Sequence, residues 1–302
     1  MTEFRSGFVS LLGRPNVGKS TLVNALVGTK VSITSPRPQT TRTQIRGVRT
    51  TTSSQIVLLD TPGIHKPRTL LGERCNHRSV QTLTEVDVVC LLIEANEPIG
   101  SGDKFISDLI HKVDTPRLLV VNKTDASTPS QVVEHLGSVV KKLGEFDAYL
   151  PLSAKTGDGL EALVAEFEGR IPEGPVYYPD GVVSDQPEGL LVAELLREKL
   201  LAMAREELPH SIMVTAAELE TDEEDVGEHD PDVMRYRVVV HVERDSQKGI
   251  VIGKGGTVIR DAGMAARLEL ESLFGARVYL ETHVKVDKDW QRRAQSLDRL
   301  GL

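Results

Sequence analysis

Short apolar runs alternate with helical periods through the first half of the chain. "FVSLLG", "IVLLD", "DVVCLLIEA" and "RLLVVNK" are apolar at successive positions and rich in β-branched residues, the pattern of strands buried on both faces. Helical spacing appears near residues 18–28, 102–113, 129–143 and 158–170. Strands alternating with helices predict an α/β fold, a mostly parallel sheet with helices on both faces, whose ligands bind at the carboxyl ends of the strands. The pattern breaks at "RIPEGPVYYPDGVVSDQPEG", which is rich in Pro and Gly and lacks a period, so residues 173–188 are expected to be a linker. Residues 190–206 return to helical spacing, with Val192, Leu196, Leu200 and Met203 on one face and Glu194, Arg197, Glu198 and Arg205 largely elsewhere. Strands near 211–219 and 235–243, a helix ending at a glycine loop, a helix over about 257–273 and a strand at 276–286 complete an α+β unit. A length of 302 residues also favours two domains, placed at 1–172 and 189–302.

Composition narrows the class. The chain is 39% hydrophobic and 26% charged, and its apolar runs are too short to span a bilayer. The N-terminal residues show no signal-peptide pattern, and Cys75 and Cys90 are too few for a disulfide framework or a multi-cysteine zinc site. A cytoplasmic protein is expected. A net charge of −8 would by itself argue against a nucleic-acid partner. However, residues 216–234 hold nine acids and no Lys or Arg, whereas residues 235–302 hold 13 Lys and Arg against 9 Asp and Glu. The C-terminal piece is mildly basic.

The first chemical motif is "GRPNVGKS", Gly13 to Ser20, between a predicted strand and a predicted helix. Glycines at both ends let backbone N–H groups (from Asn16, Val17, Gly18 and Thr21 among others) turn toward phosphate oxygens, and the helix dipole adds to the field. Lys19 is placed to neutralise β/γ-phosphate charge and Ser20 to ligate Mg²⁺. This motif alone does not separate ATP from GTP. "NKTD", with Asn122, Lys123 and Asp125, follows a strand and supplies a carboxylate that can accept from the N1–H and N2–H₂ groups of guanine, which adenine lacks. "DTPG" places Asp60 toward Mg²⁺ and the Gly63 N–H toward a γ-phosphate. "SAK", Ser153, Ala154 and Lys155, is placed to close over the base. Four such loops in one order resemble a translation-factor-class GTPase domain of Ras-like topology over residues 1–172.

That resemblance assigns "SPRPQTTRTQIRG", residues 35–47, to the first switch, with Thr41 as the Mg²⁺-sensing residue and Thr40 as its rival. It also exposes a departure. Ile64 stands where the catalytic glutamine of Ras-like domains would be, and an alkyl side chain cannot orient water, so slow intrinsic hydrolysis is expected. Asn16 resembles the loop asparagine of the GTPase branch that recruits K⁺, which can offset charge between the β- and γ-phosphates.

The second motif is "GIVIGKGGTVI". Gly253, Lys254, Gly255 and Gly256 form G-x-x-G, the loop that clamps a single-stranded backbone in KH modules. G-x-x-G alone is weak; the order helix, two strands, helix, glycine loop, helix, strand is that of a type II KH domain, and Lys248, Ile252 and Arg260 flank the loop. Across nearly the whole chain, "GRPNVGKSTLVNAL", "PQTTR", "DTPGIH", "NKTD", "SAK", "REKLL", "ELP" and "VIGKGG" together resemble the Era family of bacterial ribosome-assembly GTPases. The resemblance implies GTP and GDP as ligands, binding to 16S rRNA near its 3′ end, a role in 30S subunit maturation and peripheral association with the inner face of the cytoplasmic membrane. A monomer is expected. The competing reading is a GTPase acting on a protein or membrane partner, with the glycine loop only a turn.

Overall fold

In the computed structural model, residues 4–35, 37, 40–203, 211–219 and 232–302 are described. The chain divides between Asp185 and Gln186 into two units, with Leu302 counted in the first.

The first unit is built on β1 (Arg5–Gly13), α1 (Lys19–Val27), β2 (Ile45–Thr50), β3 (Ser54–Asp60), α2 (Leu70–Gln81), β4 (Val88–Glu94), α3 (Ser101–Ile110), β5 (Arg117–Asn122), α4 (Pro129–Leu143), β6 (Ala148–Pro151) and α5 (Leu160–Glu168). The sheet order is β2-β3-β1-β4-β5-β6, parallel except for β2 against β3. The unbroken apolar runs are explained by two cores. Val9, Leu11, Val88, Cys90, Leu92, Leu118 and Val120 join one core with residues of α1 and α5. Leu12, Val89, Leu91, Ile93, Leu119 and Val121 join the other with Ile106, Ile110, Val132, Val139 and Leu143 of α3 and α4. Successive strand residues point to opposite faces, so a strand with a core on each side has no polar position to spare.

Three expectations change here. The stretch expected as a linker is fastened to the sheet: Val183 O accepts from Val48 N (2.8 Å), and the side chain of buried Gln55 accepts from Tyr177 N (2.8 Å) and Tyr178 N (2.9 Å) and donates to Tyr178 O (2.9 Å). An edge strand offers a row of unpaired backbone groups, and this segment uses them. The expected switch segment 35–47 is cut short because β2 begins at Ile45. Helix α2, not expected from periodicity, has Leu71 and Cys75 among its few buried residues, too thin a stripe to read; Thr69 caps it by accepting from Gly72 N at 3.3 Å.

The second unit comprises α6 (Glu188–Met203), β7 (Met213–Glu218), β8 (Val233–Val242), α7 (Asp245–Ile252), α8 (Thr257–Phe274), β9 (Arg277–Val286) and α9 (Ala294–Arg299), with sheet order β7-β8-β9. Strands β7 and β8 are antiparallel, β8 and β9 parallel. Helix α6 departs from its amphipathic reading: Glu194, Arg197 and Glu198 are buried together with Val192, Leu196 and Leu200. The helix packs against both α8 and β7, which leaves it little solvent face. The guanidinium of Arg197 is gripped by Glu194 at 2.8 and 2.5 Å, the bidentate geometry that a buried charge requires. The acidic segment 216–234 lies mostly outside the described residues.

Candidate functional site

The loops at the carboxyl ends of β1, β3, β5 and β6 meet around a cleft of about 870 Å³. Asn16, Gly18, Lys19, Ser20, Thr21, Thr40, Thr41, Gly63, Lys123 and Lys155 line it. Gly13, Val17, Asn122, Ser153 and Ala154 lie behind this lining.

Asn122 ties three loops together. Its Nδ2 donates to Val17 O (2.8 Å) and its Oδ1 accepts from Ala154 N (3.0 Å). The join explains Gly18: its φ is +100°, and a Cβ there would sit 2.3 Å from Asn122 Nδ2. Ser153, fully buried, donates from Oγ to Asp125 Oδ1 at 2.7 Å and so orients the exposed carboxylate. Ser153, Val17 and Ala154 are thus joined to Asp125 and Asn122 by hydrogen bonds, and Val17 turns its side chain into the core.

Lys19 is buried and donates to Gly13 O (3.3 Å) and Arg14 O (3.1 Å). Burial lowers its pKa to about 8, with Asp60 opposing that shift. A charged amine held this way is poised for an anion. Asp60 is shifted upward, again by burial first and against the pull of Lys19.

Three oxygen-bearing side chains converge beside Lys19. Ser20 Oγ and Thr41 Oγ1 are 3.1 Å apart, Thr41 Oγ1 donates to Asp60 Oδ2 at 3.4 Å, and Asp60 Oδ1 is buried without a hydrogen-bond partner among the described residues. Two hydroxyls and an unsatisfied carboxylate oxygen suit a hard divalent cation that also takes phosphate oxygens. Thr40 turns away, donating to Arg37 O at 2.9 Å. Its neighbours Pro36, Pro38 and Gln39 lie outside the described residues.

Gly63 packs on the phosphate loop, where a Cβ would meet Pro15 N at 2.7 Å. Ile64 N donates to Gly13 O (3.2 Å), and its side chain is 1% exposed, packed in the core with Leu12 and Leu83. His65 is framed by Asn76, which pairs with both its N (3.3 Å) and its O (2.7 Å).

Sequence reading missed Glu94, Ile33 and Thr34, which also line the cleft together with Ser35 of the expected switch segment. Glu94 accepts from Lys123 Nζ at 2.6 Å. Its position at the end of "DVVCLLIEA", a strand terminus on the ligand side, is the signal that could have found it.

In the second unit the glycine loop joins α7 to α8. Gly253 (φ +75°) is required by crowding, since a Cβ would lie 2.6 Å from Val258 Cγ2. Gly255 and Gly256 have φ of +63° and +76° and nothing within 4 Å of a built Cβ, so their surface is open. Lys254 is exposed at the tip, Lys248 and Ile252 are half-buried, and Arg260 is exposed beside Asp261 (3.2 Å).

A glycine loop feeding α1, with three further loops converging on it, defines a P-loop GTPase, here joined to a KH unit. The family model described as 50S ribosome-binding GTPase matches residues 8–123 and that of the KH domain matches residues 207–291. A GTPase Era of Mycobacterium sp. (strain JLS) is 50% identical over 304 residues, covering 100% of each chain. A GTPase Era of Nocardioides sp. (strain ATCC BAA-499 / JS614) is 49% identical, covering 98% of this chain and 96% of that one. The crystal structure of Era in complex with MgGDPNP and nucleotides 1506–1542 of 16S ribosomal RNA matches with TM-score 0.93 at 38% identity over 99% of both chains. A variant of Aquifex aeolicus Era bound to GDP·AlF4⁻ matches with TM-score 0.93 at 37% identity over 99% of both. The chain belongs to the Era family of GTPases.

Proposed function

We propose that this GTPase is a nucleotide-controlled RNA-binding switch that holds 16S rRNA near its 3′ end through the Gly253–Gly256 loop and acts in 30S subunit maturation. The observation that carries this reading is the open surface over Gly255 and Gly256, beside exposed Lys254, in a chain whose phosphate loop is intact. The relative solved with MgGDPNP and 16S rRNA nucleotides 1506–1542 supports it.

The residues divide the work. Backbone N–H groups of the Gly13–Ser20 loop and the Lys19 ammonium bind the β- and γ-phosphates, and Asp125, with Lys123, Ala154 and Lys155 around the base, selects guanine. Ser20, Thr41 and Asp60 would hold Mg²⁺, which when bound offsets phosphate charge. Gly63 N–H and Thr41 sense the γ-phosphate. With Ile64 in the core no side chain at that position orients water, so intrinsic turnover is slow; Asn16 would help hold K⁺ between the phosphates. Loops ordered by GTP favour one state of the KH unit, and binding effects of RNA and nucleotide are reciprocal. The protein works in the cytoplasm as a monomer, with peripheral contact at the inner face of the membrane.

The test measures affinity for a 16S 3′-terminal transcript with GDP or a non-hydrolysable GTP analogue loaded. Unequal affinities are expected, and Gly255→Asp with Gly256→Asp should abolish binding while GTP turnover persists. Equal affinities would remove the switch; undiminished RNA binding by the double variant would favour a protein or membrane partner.

A further inference from the structure

The three-stranded sheet of the second unit has two faces of opposite character. Tyr236, Val238, Val240 and Val242 of β8 and Val278 of β9 are buried on the side of the helices. The alternate positions point the other way, and there β8 carries Arg235 and Arg237 while β9 carries Tyr279, Glu281, His283 and Lys285. The parallel register sets Arg235 opposite Tyr279, Arg237 opposite Glu281 and His241 opposite Lys285. Arg237, Tyr279, His283 and Lys285 are exposed.

The single carboxylate in this row is already engaged: Glu281 accepts from Arg237 Nε at 3.0 Å and from His283 Nε2 at 2.9 Å. The Arg235 guanidinium lies 4.6 Å from the centroid of the Tyr279 ring, which is 45% exposed. A cation over one side of an exposed ring steadies that ring and leaves its other side for a second planar group. The face belongs to the mildly basic stretch 235–302, and on it the cations outnumber the carboxylates among the described residues.

We infer that this sheet face is a second RNA-binding surface, with Arg235, Arg237 and Lys285 on phosphates and Tyr279 under a base. It rests on the RNA-binding reading of the glycine loop and extends it. That loop clamps only about four nucleotides, so a longer segment has chain left over to meet another surface. A lipid surface is the poorer occupant, because interfacial binding needs a broad apolar face to insert, and here exposed Tyr279 and half-buried Val233 and Val239 lie among cations.

Two RNAs separate the surfaces: a single strand of about five nucleotides, enough to fill the glycine-loop clamp, and a transcript of nucleotides 1506–1542 of 16S rRNA, the segment solved with the relative. Arg235→Gln with Lys285→Gln should leave the short strand within about two-fold, weaken the long one on the order of ten-fold, and flatten its log K against log salt slope by about one to two. Tyr279→Ala should weaken the long RNA by about five-fold or more, with Tyr279→Phe retaining affinity. Unchanged melting temperature and GTP turnover check the fold of each variant. Equal affinity and slope for the long RNA, or the same loss on both RNAs, would overturn the inference. So would loss of phosphatidylglycerol-vesicle capture with RNA affinity intact. If the unaltered protein bound neither RNA, the RNA-binding reading itself would fail.

Discussion

At the scale of single residues, the nucleotide site depends on hydrogen bonds that tie its loops to one another. Asn122→Ala removes bonds to Val17 O and Ala154 N at once, leaving buried polar groups unpaired. Expected losses are about 2–3 kcal/mol of stability together with weaker guanine nucleotide binding, read by chemical denaturation and fluorescent-GDP titration. Gly18→Ala should abolish nucleotide binding, because the added carbon collides with Asn122 and the positive φ is strained. Lys19 gives a pH signature. Its pKa of about 8 in the free protein rises when an anion binds, so above pH 8 binding takes up a proton and affinity falls, while at pH 6.5 uptake is near zero. Calorimetry in buffers of different ionisation enthalpy reads this directly. The motif residues were legible because phosphate and guanine chemistry restrict residue type and order. Glu94 had only its place at the ligand-side end of a strand to mark it, a weaker signal than a motif with fixed spacing.

At the scale of elements, the strands were legible from their apolar runs and the KH order from its helical and strand periods. What escaped were elements held by polar contacts. The segment 173–185 has no period because it is held by Gln55 and by the free edge of β2, with Arg46 pairing to Asp185 (2.8 Å) and Ser184 Oγ donating to Arg46 O (2.7 Å). Gln55→Ala should cost roughly 2–4 kcal/mol and open this segment to limited proteolysis. Helix α6 was legible as a helix, but not the burial of its charges: they look solvated in sequence, yet Arg197 is buried with Glu194. Arg197→Leu, which leaves the Glu194 carboxylate without this partner, should destabilise the unit by about 3–5 kcal/mol. The paired change with Glu194→Leu should recover most of that in thermal melts.

At the scale of the whole molecule, the proposed switch links two affinities: whatever factor GTP applies to RNA binding, RNA applies to GTP binding. If Asn16 helps hold a monovalent cation, turnover in potassium should exceed that in sodium several-fold, and Asn16→Ala should erase the difference without abolishing GDP binding. Equal rates in the two salts would leave Asn16 a loop residue only. Ile64 carries a further consequence. Because its side chain fills the core beneath the phosphate loop, Ile64→Gln would bury an amide rather than present it to water, lowering stability by about 2–4 kcal/mol with no gain in rate. On the proposed reading, the tempo of hydrolysis is tied to interior packing, since position 64 cannot take a polar side chain without loosening the hydrophobic interior.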